Sequence, residues 1–372
     1  MTLTPVDRRV REEIARHGPL PWSAVVEAAL YDDEAGFYTT AGQAGRRGDF
    51  VTSPEVGALF GSVVARALDD RWVAMGRPEV FVVVEAGAGP GTLARTILAA
   101  APACATALRY VLVERSAAQR GLHRERLPLE DPAHAFASVA EDPDDDEVVV
   151  PPPPGPMVVS LAELPRTPGP CVVLANELLD NLPFDLIERT ADGWAEVRVG
   201  VEGDGLVEVL VPGASDPGVP ADPGARVPVQ RAAAAWVAEA RALAGPDGCV
   251  VAFDYGAPLA ELAARPWTEW VRTYRGQQRG GPPLEALGTQ DVTVEVATDG
   301  LGSRPDADRS QADWLRAHGI DTLVEEGRRI WAERAHLGDL AAVRARSRVH
   351  EAEALLDPTG LGAFRVLEWS GT

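Results

Sequence analysis

"VFVVVEAGAGPGTLARTIL", residues 80–98, reads as a buried strand, a glycine turn and the opening of a helix. Val80–Glu85 is a short apolar run rich in β-branched residues, the pattern of a strand covered on both faces. The dinucleotide pattern GxGxxG places its third glycine where the helix must pack closely on the strand. Here that position is Thr92, and the glycines fall instead at alternate positions, Gly87, Gly89 and Gly91. The same alternation of strand and helix continues outward. Strands are expected over 109–114, 157–160, 170–175 and 248–256, and helices over 91–101, 116–126 and 228–244. Such an order implies a mostly parallel, doubly wound α/β sheet.

Upstream, residues 5–30 read as two short helices, the second capped by Ser23. Residues 53–76 read as one amphipathic helix with Ser53 as its cap, Pro54 at its first position and Glu55 in its first turn. Downstream, "GWAEVRVGVEGDGLVEVLV" (193–211) is expected as a hairpin turning at "EGDG". An acidic and proline run covers 141–156, a Gly/Pro-rich insertion covers 275–289, helices are expected across 310–356, and "GAFRVLEW" closes the chain as a strand. Two units are expected, an N-terminal helical segment over 1–78 and the α/β domain over 79–372.

Composition removes several functions. The formal net charge of −21 argues against a nucleic-acid partner, because phosphate contacts need clustered cations. That charge reads either as solubility or as attraction for a cationic substrate. All 35 basic residues are arginine, which excludes a Walker A lysine and a Schiff-base lysine. Cys104, Cys171 and Cys249 are far apart and the six histidines are scattered, so no disulfide framework or metal site is expected. No apolar run reaches the length of a membrane span and the charged N-terminus lacks a signal-peptide core, so a cytoplasmic protein with no membrane partner is expected.

Alternate glycines after a strand that ends in an acid, ExGxGxG from Glu85 to Gly91, are the pattern associated with S-adenosyl-L-methionine in class I methyltransferases. Without Cβ atoms the turn lets a ligand lie close to the main chain. The ammonium group of that molecule suits the carboxylate of Glu85. Its ribose diol calls for an acid at the end of the next strand, where Glu114 stands; the same placement serves a dinucleotide ribose. After the fourth strand, "LANELLDNLPFDL" (174–186) puts Asn176, Glu177 and Asp180 at the carboxyl end of the sheet. A helical turn there would align Glu177 and Asp180 on one face. Two carboxylates so placed can hold a cationic acceptor and take its proton; equally, Asn176 can be an ordinary cap for a turn containing the two acids.

Together these stretches resemble the MidA-like methyltransferases, a family that includes mitochondrial complex I assembly factor 7. The resemblance is carried by "GFY" (36–38), "GDFVTSPEVGALFG" (48–61), "VVEAGAGPGTLARTIL", "LANELLDNLP", "FDYG" (253–256) and weaker blocks to the C-terminus, covering nearly the whole chain. It implies a Rossmann-like class I methyltransferase sheet with an N-terminal helical segment and helical insertions. It also implies S-adenosyl-L-methionine as cofactor, a protein substrate and plausibly an arginine acceptor. Glu85, Gly87, Gly89, Gly91 and Glu114 would hold the cofactor. Thr52, Pro54 and Glu55 would cover it or shape the entrance, and Asn176, Glu177 and Asp180 would face the acceptor. The chain departs from the family pattern at Pro90, Leu178, Leu179, Gln277 or Gln278, and Ala297–Thr298, the last two toward the expected substrate side. The competing readings are an oxidoreductase using NAD, a cofactor-binding assembly factor with little turnover, and a small-molecule methyltransferase.

Overall fold

A computed structural model describes residues 3–40, 52–136, 153–167, 169–276 and 278–372. The first four residues of "GDFVTSPEVGALFG", most of the acidic and proline run, and Gln277 therefore lie outside the described residues. The central sheet has seven strands: β1 (Phe81–Ala86), β2 (Leu108–Val113), β3 (Met157–Leu161), β4 (Cys171–Asn176), β5 (Cys249–Asp254), β6 (Ala307–Ser310) and β7 (Arg365–Ser370). Their spatial order is 3-2-1-4-5-7-6. The first five run parallel and β7 runs antiparallel to both neighbours. The expected α/β, Rossmann-like class I methyltransferase sheet is therefore present, with one strand reversed near an edge.

Side-chain alternation in β1 shows why the run is apolar throughout. Phe81 and Val83 join the core under the helices Ala58–Ala74 and Thr92–Ala99, whereas Val82 and Val84 join the core under Arg231–Ala244. A strand covered on both faces has no polar side to show. The order of strands reverses between β1 and β4, and ligands of open α/β sheets bind in the crevice at the carboxyl ends there.

Three local expectations are corrected. The second N-terminal helix begins at Trp22, not after Ser23, because Asp185 Oδ1 from a distant strand accepts the Ser23 N–H at 3.0 Å. Residues 53–76 form two helices, Ser53–Val56 and Ala58–Ala74, separated at Gly57. The break is supplied from far along the chain: Glu351 Oε2 accepts the Leu59 N–H at 2.8 Å and so serves as the cap of the longer helix. Ser53 is not a cap either. Thr52 precedes the short helix, and the Ser53 hydroxyl donates to Gln311 Oε1 at 3.1 Å.

A second sheet, antiparallel and five-stranded, leaves the central one just after "ANELLDNLP". It contains Asp185–Thr190, Gly193–Glu202, Gly205–Ala214, Arg226–Val229 and the pair Leu20–Pro21. The hairpin expected over 193–211 is its longest pairing. The N-terminal helices pack on this sheet around Val6, Trp22, Phe184, Val197 and Trp270, which holds "GFY" beside the crevice. The Ser116 hydroxyl donates to the Tyr38 carbonyl at 2.9 Å across it.

Candidate active site

A cavity of about 530 Å³ opens at the crevice between β1 and β4, within the range of small-molecule sites. Glu85, Gly87, Gly89, Glu114, Thr52, Pro54, Glu55, Asn176 and Glu177 all line it. Residues as far as 125 positions apart in the sequence, Thr52 and Glu177, thus meet in one place. Gly91 lies just behind, at the N-terminus of the following helix, and Gly87, Gly89 and Gly91 all have positive φ (65°, 51° and 78°).

Glu114 closes β2 with its carboxylate anchored at both oxygens. Oε2 accepts the Gly89 N–H at 2.9 Å and Oε1 accepts the Ser116 N–H at 2.7 Å. Burial pushes its proton affinity up and these two N–H donors pull it down. The remaining lone pairs are free to accept from a diol. Glu85 is 4% exposed and accepts from the Tyr110 hydroxyl at 2.6 Å. Burial raises its pKa to about 7, so an incoming ammonium would hold it ionised. Among the described lining residues Arg115 is the only cation, and it is engaged by Glu27 at 2.7 Å and by the Tyr31 ring at 4.7 Å. The cavity is therefore built for a positively charged guest.

Glu55 lines the cavity and also makes a contact within the protein. Its Oε1 accepts from the Thr92 hydroxyl at 2.6 Å, which ties the "TSPE" segment to the helix after the glycine turn. Thr52 and Pro54 line the cavity as well.

The loop after β4 does not form the helical turn that would align Glu177 with Asp180. Glu177 adopts φ 52° and its N–H donates to the Phe253 carbonyl at 2.8 Å, so the chain reverses at once. The single turn that follows is Leu179–Asn181. Asp254 organises it: Oδ2 accepts the N–H groups of Leu179 and Asp180, and Oδ1 accepts that of Tyr255. Asn176 is not a cap. Its Nδ2 donates to Glu177 Oε1 at 3.1 Å, and the Ser53 N–H donates to the same oxygen at 3.2 Å. Leu178 rests against Gly87, a packing role for one departure from the family pattern.

Glu177 is half-buried, and desolvation lifts its pKa to about 7 against those two donors. It lines the first cavity and also a second, of about 830 Å³. Asp180 lines only the second. The two acids are thus brought together, but around a wall between cavities rather than on a helix face. Ala297 and Thr298, expected toward the substrate, are instead buried in packing: the Ala297 N–H donates to Gln230 Oε1 and the Thr298 N–H to the Ala257 carbonyl.

Several residues of the site were not singled out from the sequence. Tyr31 and Tyr38 stack with ring centroids 5.7 Å apart and donate to the Asn181 carbonyl and to Asn181 Oδ1. Asn181 Nδ2 donates in turn to Asp291 Oδ1 at 3.1 Å. His123 bridges the Gly89 carbonyl and the Ser160 hydroxyl at 2.7 and 2.8 Å, with burial lowering its pKa. Asp254 and Tyr38 lay in the quoted "FDYG" and "GFY", and Asp291 in one of the weaker C-terminal blocks, "TQDVTVEV" (289–296); His123 carried no local signal.

Glu85 and Glu177 near 7 and Asp291 near 8, each raised chiefly by burial, make stability depend on pH in an unusual sense. An acid with a higher folded pKa contributes stability in full below its unfolded value near 4 and loses it as pH rises through the folded value. The melting temperature of the ligand-free protein should therefore fall between pH 5.5 and 8.5, by roughly several degrees in a chain this size. A scan by calorimetry that shows it level or rising would mean that these carboxylates are already ionised in the native state.

Comparison with known proteins bears on the site. A family model described as "Putative S-adenosyl-L-methionine-dependent methyltransferase" matches residues 63–309. The chain is 28% identical to the mouse mitochondrial protein arginine methyltransferase NDUFAF7 over 79% of this chain and 68% of that one. Against the fly homologue it is 30% identical over 54% of this chain and 46% of that one. Among solved structures, a Burkholderia thailandensis protein crystallised with S-adenosyl-homocysteine aligns at TM-score 0.78 and 28% identity, covering 98% of this chain and 91% of that one.

Proposed function

The chain belongs to this family of S-adenosyl-L-methionine-dependent methyltransferases, and from that premise we propose that its acceptor is an arginine side chain of a protein. The observation that carries the reading is Glu177, a half-buried carboxylate shared by two cavities, in a site with a surplus of acids. The mouse and fly relatives are named as protein arginine methyltransferases, which supports the same acceptor.

When bound, S-adenosyl-L-methionine supplies a methyl group on a sulfonium whose leaving group is a neutral thioether. Glu85 would hold its ammonium, Glu114 its ribose, and Gly87 and Gly89 would let it lie against the turn. The protein's task in such an in-line displacement is alignment and exclusion of water. Asn176 and the Ser53 N–H fix one oxygen of Glu177, so the other is aimed. A guanidinium held there would be kept from rotating, and the proton it sheds when alkylated has a carboxylate near neutral pKa to receive it. Tritiated S-adenosyl-L-methionine incubated with a lysate of a deletion strain, followed by residue analysis, tests the acceptor. Label in methylarginine is expected. Label confined to lysine or to small molecules overturns the arginine reading.

The cofactor predicts a ligand effect on folding. S-Adenosyl-homocysteine at about 100 times its Kd should stabilise the protein by about 2.7 kcal/mol through mass action, while NAD should not. Differential scanning fluorimetry with both ligands measures this, and a shift with NAD alone would contradict the assignment.

A further inference from the structure

We propose that the second cavity is the acceptor channel, in which Asp180 and Asp291 clasp a guanidinium delivered from the side of Glu177 opposite the cofactor. The inference rests on the arginine reading and adds the route and the residues that recognise the side chain. Asp180 is 4% exposed and Asp291 0%, and both line this cavity. Each keeps one buried oxygen, Oδ1 of Asp180 and Oδ2 of Asp291, that no described donor reaches in hydrogen-bond geometry, although the Tyr255 hydroxyl lies near enough to Asp180, and the Tyr38 hydroxyl near enough to Asp291, to favour the ionised acids. Two buried carboxylate oxygens left unpaired are costly. The cost is recovered when a guest brings donors, and a planar guanidinium with five N–H groups suits two acids at once.

The cations already present do not satisfy them. Arg265 and Arg272 also line the cavity, but both pair with Glu295, and Arg272 lies over the Tyr255 ring at 5.4 Å. Tyr255 and Phe364, with centroids 5.5 Å apart, offer aromatic surface for the alkyl stem of the guest. Asn181 holds the other oxygen of Asp291 and lines the cofactor cavity, so the clasp is braced by the wall between the two ligands.

The test uses the full chain saturated with S-adenosyl-homocysteine and three probes: N-acetyl-arginine amide, N-acetyl-lysine amide and N-acetyl-citrulline amide. Binding is read by saturation-transfer NMR titration. Arginine amide is expected to bind, and citrulline amide, equal in shape but uncharged, at least tenfold more weakly. Asp291→Asn should weaken arginine amide tenfold or more with the Kd for S-adenosyl-homocysteine unchanged. Ala363→Trp, an exposed position at the cavity, should do the same by obstruction, and does not depend on altering a buried acid. Wild-type affinity for arginine amide in both variants overturns the channel, as does the absence of binding by any probe at 100 mM. If lysine amide binds best and Asp291→Asn weakens it, the channel stands and the arginine reading falls.

Discussion

Glu177→Gln is expected to lower turnover by about 100-fold or more and to leave the affinity for S-adenosyl-L-methionine within a few-fold of wild type. The substitution keeps the shape of the side chain and an oxygen able to accept from Ser53 and Asn176, the two donors that hold Glu177 in place. What it removes is the charge that orients a cation and the basic site that takes a proton, a contribution of about 10²–10⁴ for a positioned acid–base group. Cofactor affinity should hold because Glu85 and Glu114 carry the polar contacts expected of the ligand and are untouched. Stability should rise, since a carboxylate pushed from 4.5 to about 7 by burial is replaced by a neutral amide. The measurements are kcat for labelling of lysate protein, the Kd for S-adenosyl-homocysteine by calorimetry, and the melting temperature. A loss confined to kcat marks an interaction made in the reacting complex. Label incorporated at the wild-type rate would move the acceptor away from Glu177 altogether.

The parts of the protein legible in the sequence are those whose cause is local. The strand–glycine–helix stretch declares itself because β1 is buried on both faces and the turn needs positive φ at three positions. Glu85 and Glu114 could be placed because each ends a strand, and strand ends are set by the same apolar runs. The loop after β4 was legible only as a location. Its conformation depends on Asp254, 74 residues beyond Asp180, whose carboxylate gathers the N–H groups of the turn. No periodicity in "ANELLD" could announce that.

The same reason explains the errors at the N-terminal motif. Ser53 and Ser23 are good caps by type, but their partners, Gln311 and Asp185, arrive from distant elements, and Glu351 divides a helix whose pattern is continuous. Tertiary contacts outbid local propensity at each point. Asp291 lay in one of the weaker blocks, "TQDVTVEV" (289–296), yet nothing there singled it out. It lies in a short apolar strand, "DVTV", where its burial is complete, and a lone acid there reads as an edge residue until the fold sets it facing Asp180.

Gly89→Val is expected to reduce binding of S-adenosyl-L-methionine and S-adenosyl-homocysteine by at least 100-fold while the protein still folds. A Cβ at this position would meet no protein atom within 4 Å; it would stand in the open cavity that Gly89 lines. The folded chain has room for it and the ligand does not. The backbone adds a second effect, since φ is 51° and a side chain in that region costs about 1–2 kcal/mol, more for a β-branched one. The Gly89 N–H and carbonyl also hold Glu114 and His123, so a shifted turn would release the carboxylate expected to take the ribose. Gly89→Ala separates the two causes. If filled space is responsible, alanine loses far less affinity than valine; if the turn conformation is responsible, alanine already loses much of what valine loses, because any Cβ strains the turn. Far-UV circular dichroism and the melting temperature establish that each variant is folded, and calorimetric titration with S-adenosyl-homocysteine gives the affinities. Wild-type affinity in a folded Gly89→Val protein would remove the glycine turn from the cofactor site, and with it the reason for alternate glycines at 87, 89 and 91.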